Sequence, residues 1–203
     1  MNGVNIRDMP ASKSTYHHRD LRTACLDAAL ALLEEDGEGA LSLRAVARRA
    51  GVSPAAPYRH YADREALVSA VAAVGYRELA ERLGAAHPAP STPDQLADVA
   101  VAYVQFALER PALFRIMFGE PCDRDNDERV AATEAVTLYL REIVARCFPQ
   151  SNPEALAPAI WALVHGLAFL FLDGKLEGPT PAAVAARVTA AVEAMLSASA
   201  SPG

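Results

Sequence analysis

Arg44, Arg48, Arg49, Arg59 and Arg64 lie close together in the chain, interleaved with Ser42, Ser53, Tyr58 and His60 and opposed only by Glu38 and Asp63. Guanidinium groups fit phosphates and guanine edges through a planar fork of donors, and hydroxyl and imidazole groups donate to phosphate oxygens. This is chemistry for holding a nucleic acid, not for making or breaking bonds. Arg44 falls in a predicted first helical turn, where positive charge opposes the helix dipole, so a contact with phosphate or guanine accounts for it better than solvent does. Ser42 can cap that helix while aiming its hydroxyl at a phosphate. Between Ser53 and Tyr58 stand Pro54, Ala55, Ala56 and Pro57, none with a hydrogen-bonding side chain. Base reading there must rest on apolar contact with thymine methyls, on Arg44 and Arg59, and on DNA shape.

Those groups need two short helices to place them. Leu43, Val46, Ala47 and Ala50 repeat at helical spacing and run into Gly51; Ser53-Pro54 then has the form of an N-cap followed by a first-turn proline. Helix, tight turn, helix is the form of a motif whose second helix enters the major groove. The continuation Tyr58-Arg59-His60-Tyr61 and Asp63-Arg64-Glu65-Ala66-Leu67 resembles the TetR-type family of bacterial repressors over roughly residues 19 to 70. That resemblance implies that Tyr58 and His60 donate to phosphates and that Arg64 adds its charge at the next helix start. Tyr61 stands where the family usually has phenylalanine, Arg64 where lysine is usual, and Pro57 where an aliphatic residue is usual. Pro57 removes the first backbone hydrogen bond of the recognition helix, which should therefore start tightly, as a 3₁₀ turn.

The chain has 203 residues, 52% hydrophobic, and a formal charge of -6. Acid and base balance up to residue 83, so the acidic excess lies beyond it: a basic face on an acidic body suits a DNA-binding head. Cys25, Cys122 and Cys147 are far apart and lack Cys-x-x-Cys spacing, which argues against a disulfide framework or zinc site and for the cytoplasm. Residues 1–14 lack the apolar run of a signal peptide. Ala155–Leu172 carries no Asp, Glu, Lys or Arg, yet it contains Pro158 and His165 and lacks basic flanks, so a buried helix is expected rather than a membrane span.

These features predict an all-α protein, with a three-helix helix-turn-helix DNA-binding head and a helical ligand-binding and dimerisation domain. The expected divisions are a flexible arm over 1–18, the head over 19–62, a connecting helix over 63–83 and the body over 84–203, with Gly84–Pro93 as linker. In the body, Trp161-x-x-x-His165-Gly166 resembles a signature of one branch of TetR-type C-terminal domains. Trp161, His165 and Phe169 share a helical face, and with Tyr103, Phe106, Phe114 and Met117 they are expected to line an apolar ligand cavity. Aromatic residues at this spacing are also what a solid core uses. No histidine pair has metal spacing and no phosphate loop or nucleophile elbow occurs, so neither an enzyme nor a cofactor is expected. The resulting function is a homodimeric regulator, acting as a repressor on an inverted-repeat operator in double-stranded DNA and released by a small molecule. Its rival is an effector-independent structural or adaptor protein whose body only dimerises.

Overall fold

The computed structural model describes residues 13–119 and 125–200, with side chains over 21–119 and 125–197. Among these residues there are eight α-helices and no strand: α1 (Lys13–Asp36), α2 (Leu43–Arg49), α3 (Arg64–Ala86), α4 (Pro93–Glu109), α5 (Pro111–Gly119), α6 (Asp127–Cys147), α7 (Pro153–Leu172) and α8 (Pro181–Ala200). They form two compact units, Met1–Leu67 and Val68–Gly203.

In the first unit, α1 begins at Lys13, so 13–18, expected to belong to an arm, is helical; the remainder of that arm and Cys122 lie outside the described residues. α1 packs on α2, and Cys25, Ala29 and Leu33 of α1, Val46 and Ala47 of α2, and Leu41, Tyr61 and Leu67 are buried in this unit. Ser42 caps α2 by accepting from the Ala45 amide at 3.2 Å. At the other end Gly51 adopts φ +68°, its amide bonding Arg48 O at 3.3 Å while the Val52 amide bonds Ala47 O at 3.0 Å. This left-handed cap ends α2 and turns the chain sharply.

The segment after the turn winds more tightly than expected. In place of an α-helix there is a 3₁₀ turn, Pro57–Arg59, built from Ala56 N to Ser53 O (2.9 Å), Arg59 N to Ala56 O (3.2 Å) and His60 N to Pro57 O (2.9 Å). Pro54 and Pro57 each lack an amide hydrogen, and the Pro57 ring crowds the carbonyl one turn back, so the α-helical ladder cannot start.

In the second unit, α4 is central, with α7 and α8 packed along it, and α6 lies against α7. The division between units falls inside α3, so the residues between α3 and α4 are a turn within the body and not the linker expected over Gly84–Pro93. Side chains of α6 hold that turn: Tyr139 donates to Leu83 O (3.1 Å) and His87 O (2.7 Å), and Arg146 donates to Pro90 O (3.1 Å). Gly75 of α3 marks a close helix approach, since a Cβ there would lie 2.8 Å from Cγ of Met117 on α5.

α7 is long and apolar enough to cross a membrane by length and composition, and only 33% of its apolar window is buried within the chain. One face, with Ala157, Ile160, Val164, Leu167, Ala168 and Phe171, enters the core; Ala155, Ala159, Ala162, Gly166 and Leu170 face outward.

Candidate nucleic-acid interface and ligand cavity

The head sorts its arginines into two sets. Arg49 forms a bidentate ion pair with Glu35. Arg64 donates through Nε to Leu41 O at 3.1 Å and through Nη2 to Glu38 Oε1 at 3.2 Å, tying the start of α3 to the loop before α2. Arg44, Arg48 and Arg59 are exposed and have no ion-pair partner among the described residues. Ser42, Ser53, Ala55 and Tyr58 are exposed too, Tyr58 by 53%. Two expected surface residues sit differently. Ala56 is only 9% exposed, because the three-residue period of the 3₁₀ turn carries it and Pro57 inward. His60 is half-buried, its Nε2 shielded from solvent and its ring edge-on to Tyr61.

The body holds a cavity of about 240 Å³ lined by Tyr76 of α3, Phe118 of α5, Thr133, Val136, Thr137, Leu140 and Arg141 of α6, and Glu154, Ala157, Pro158 and Trp161 of α7. A second space of about 40 Å³ shares Val136, Leu140 and Trp161 with it and is walled by Tyr103. At the edge of the larger cavity Arg141 and Glu154 form an ion pair between half-exposed side chains.

Of the residues expected to line a cavity, Trp161 does so, and Tyr103 walls the smaller space. Phe106, Phe114 and Met117 are fully buried and belong to an aromatic core instead. Phe114 packs on Phe118 (4.7 Å between centroids), Tyr103 (5.6 Å), His165 (5.6 Å) and Phe169 (5.6 Å), which leaves no space between the rings. A polar chain runs along the edge of this cluster. The Trp161 indole donates to the Tyr103 hydroxyl at 3.2 Å, which shares a hydrogen bond with His165 Nδ1 at 2.9 Å. Burial lowers the affinity of His165 for a proton and raises that of the Tyr103 hydroxyl, so both stay uncharged at neutral pH.

A pH dependence follows. The folded state holds fewer protons on His165 than the unfolded chain, so stability is complete above the ordinary histidine value of 6.5 and falls as pH drops through and below it. Thermal unfolding of the wild type should therefore weaken between pH 7 and roughly 5.5 more than that of His165→Gln, which keeps a hydrogen-bonding group for Tyr103 without titrating. Parallel pH profiles for the two proteins would remove His165 from the linkage.

Residues 26–71 match the description "Bacterial regulatory proteins, tetR family", and residues 96–195 match "Tetracyclin repressor-like, C-terminal domain". The chain belongs to the tetR family. It is 29% identical over 153 residues to the HTH-type transcriptional regulator BetI of Rhizobium meliloti, covering 72% of this chain and 75% of that one. Among solved structures, a Rhodococcus protein of unknown function is similar at 34% identity and a TM-score of 0.73, covering 90% of this chain and 98% of that one. NalD, the secondary repressor of the MexAB-OprM multidrug efflux pump in Pseudomonas aeruginosa, is similar at 25% identity and a TM-score of 0.60, covering 90% and 96%.

As a tetR-family helix-turn-helix protein the chain is a DNA-binding regulator of transcription, as BetI is by name. What sequence reasoning missed is the α6 wall of the cavity. Val136 and Leu140 stand out as a helical stripe, but Thr133, Thr137 and Arg141 on the same side read as solvent-facing until α7 is seen opposite them.

Proposed function

We propose that this tetR-family regulator is a cytoplasmic repressor that binds an inverted-repeat operator as a homodimer and releases it when a small, mostly apolar molecule occupies the body cavity. The observation carrying this reading is the cavity itself: one wall is Tyr76 of α3, the helix that starts at Arg64 in the DNA-binding unit. Tyr76 also donates to Met117 O at 2.8 Å and meets Phe118 edge-on, so a molecule pressing on that wall bears on both α3 and α5. A ligand shifts the operator equilibrium only by its difference in affinity between the two states, and reversal from 99:1 to 1:99 needs about 5.5 kcal/mol. Repressor action is supported by the likeness to NalD. The Trp161-x-x-x-His165-Gly166 pattern supports assigning the chain to the family branch that carries it.

DNA contact is assigned to Arg44, Arg48, Arg59, Tyr58, Ser42 and the Ser53–Ala55 tip, with Arg64 holding the head together instead of reaching a phosphate. Dimerisation is assigned to α7 and α8. Ala155, Ala159, Ala162 and Gly166 on α7 and Ala182, Ala186, Ala190 and Ala194 on α8 are exposed small residues that permit close helix approach, and pairing with their symmetry mates makes a four-helix bundle.

The test uses Gly166. A Cβ there meets nothing within 4 Å inside the chain, so Gly166→Arg should fold normally and yet separate the subunits. In light scattering the wild type should be a dimer and the variant a monomer. On fragments of the source genome, only the wild type should protect an inverted repeat with half-sites about 34–36 Å apart or a small multiple of that. Deleting the gene should raise transcription beside that site. A dimeric Gly166→Arg protein that still protects the repeat would overturn the interface, and falling transcription would overturn repression.

A further inference from the structure

We propose that the cavity selects an apolar molecule bearing one carboxylate, and that Arg141 receives this group in place of Glu154. The inference rests on the effector reading above and specifies the chemistry of its ligand.

The walls supply almost no free donor. Thr133 donates its hydroxyl hydrogen to Arg129 O at 2.8 Å and Thr137 donates to Thr133 O at 3.1 Å, each within its own helix. Tyr76 donates to Met117 O, and the Trp161 indole to Tyr103. Arg141 is the exception. Its guanidinium carries five N–H donors and meets a single carboxylate, that of Glu154. The remaining lining is Phe118, Val136, Leu140, Ala157 and Pro158, which suits a hydrocarbon tail.

The ion pair at the edge is easily exchanged. Arg141 and Glu154 are 46% and 63% exposed, and pairs so hydrated hold each other weakly. Glu154 is the less dependent partner. It stands in the first turn of α7, beside the Asn152 cap, where the helix dipole stabilises a carboxylate without help from a cation. An incoming carboxylate can therefore take the guanidinium fork while Glu154 turns to water. An incoming ammonium ion has only Glu154 to receive it, against the repulsion of Arg141 and of the helix N-terminus. A neutral hydroxyl can accept from the guanidinium or donate to Glu154 only by opening their ion pair, and it brings no charge to replace the one it displaces. With about 240 Å³ available, the ligand is smaller than those that fill the 300–1,000 Å³ pockets of drug-sized molecules.

Three probes with one tail and different heads separate the alternatives: octanoate, octan-1-ol and octylamine. Trp161 is the only tryptophan of the chain and stands on the cavity wall, so quenching of its emission by the full-length protein reports occupancy directly. Octanoate should bind roughly tenfold or more tightly than octan-1-ol, the size expected for one charge-assisted hydrogen bond, and octylamine should bind most weakly. Arg141→Gln should bring octanoate down to the level of octan-1-ol and leave octan-1-ol unchanged; Arg141→Lys should recover part of the preference. Glu154→Gln should strengthen octanoate binding. Unchanged operator affinity of the unliganded variants serves as the check on folding. Octylamine binding as tightly as octanoate, or a carboxylate preference that survives in Arg141→Gln, overturns the assignment while leaving the effector cavity standing through octan-1-ol. Absence of quenching by all three probes overturns the cavity reading and this inference together.

Discussion

Alanine at Arg44, Arg48 and Arg59 together should reduce operator affinity by several orders of magnitude at physiological salt and flatten its salt dependence. Each phosphate contact releases counterions that contribute about 0.9 to the slope of log K against log salt, so three contacts in each of two heads account for a change of roughly 5. The effect should be spread over all sequences except where Arg44 or Arg59 reads a guanine; there, relaxed discrimination of about 1–3 kcal/mol at one base pair would accompany the loss. Arg49 and Arg64 supply the contrast. Both are engaged inside the head, Arg49 with Glu35 and Arg64 with Leu41 O and Glu38, so Arg64→Ala should act first on the stability of the head, by about 1 kcal/mol. Gel-shift titrations at several salt concentrations decide the matter. A slope unchanged in the triple variant would take these arginines out of the interface, and a slope lowered by Arg64→Ala in a fully folded head would put Arg64 into it.

What was legible in the sequence is what depends on neighbours in the chain. Ser42 as a cap and Gly51 as a left-handed stop involve partners only a few residues away, and their residue types state the geometry. Pro57 announced a tight start to the recognition element. How far the tightening extends was not legible, because the choice between one 3₁₀ turn and a full helix depends on Ala56 and Pro57 packing inward against the rest of the head. The proline-rich turn between α3 and α4 looked like a linker by composition; it is fixed by Tyr139 and Arg146, whose positions become relevant only once α6 lies across it. The expected aromatic lining and the cavity overlap only in part for a related reason. Large aromatic side chains mark where apolar surface will be buried, and they bury it by filling space. Room for a ligand remains instead beside the smaller residues of α6 and α7, with Trp161 as the one aromatic residue shared by the expected lining and the larger cavity, and Tyr103 at the smaller space.

Phe114→Ala should be the most damaging single change in the body. The ring is 0% exposed and sits at the centre of the aromatic cluster, within 4.7 Å of Phe118 and 6.5 Å of Phe106, centroid to centroid, as well as against Tyr103, His165 and Phe169. Truncation removes the transfer free energy of a phenyl ring and leaves a hole that five rigid neighbours cannot close, a combination that costs about 3–5 kcal/mol. For a unit of this size that corresponds to a fall in melting temperature on the order of 10 °C. Trp161→Ala offers the control: its side chain is 45% exposed at the cavity wall, so it should change stability much less and ligand response more. The two variants therefore exchange roles between a core residue and a lining residue. If Phe114→Ala unfolds near the wild-type temperature and instead alters the quenching titrations, its ring lines a ligand space after all, and the aromatic cluster is the binding site rather than the structure behind it.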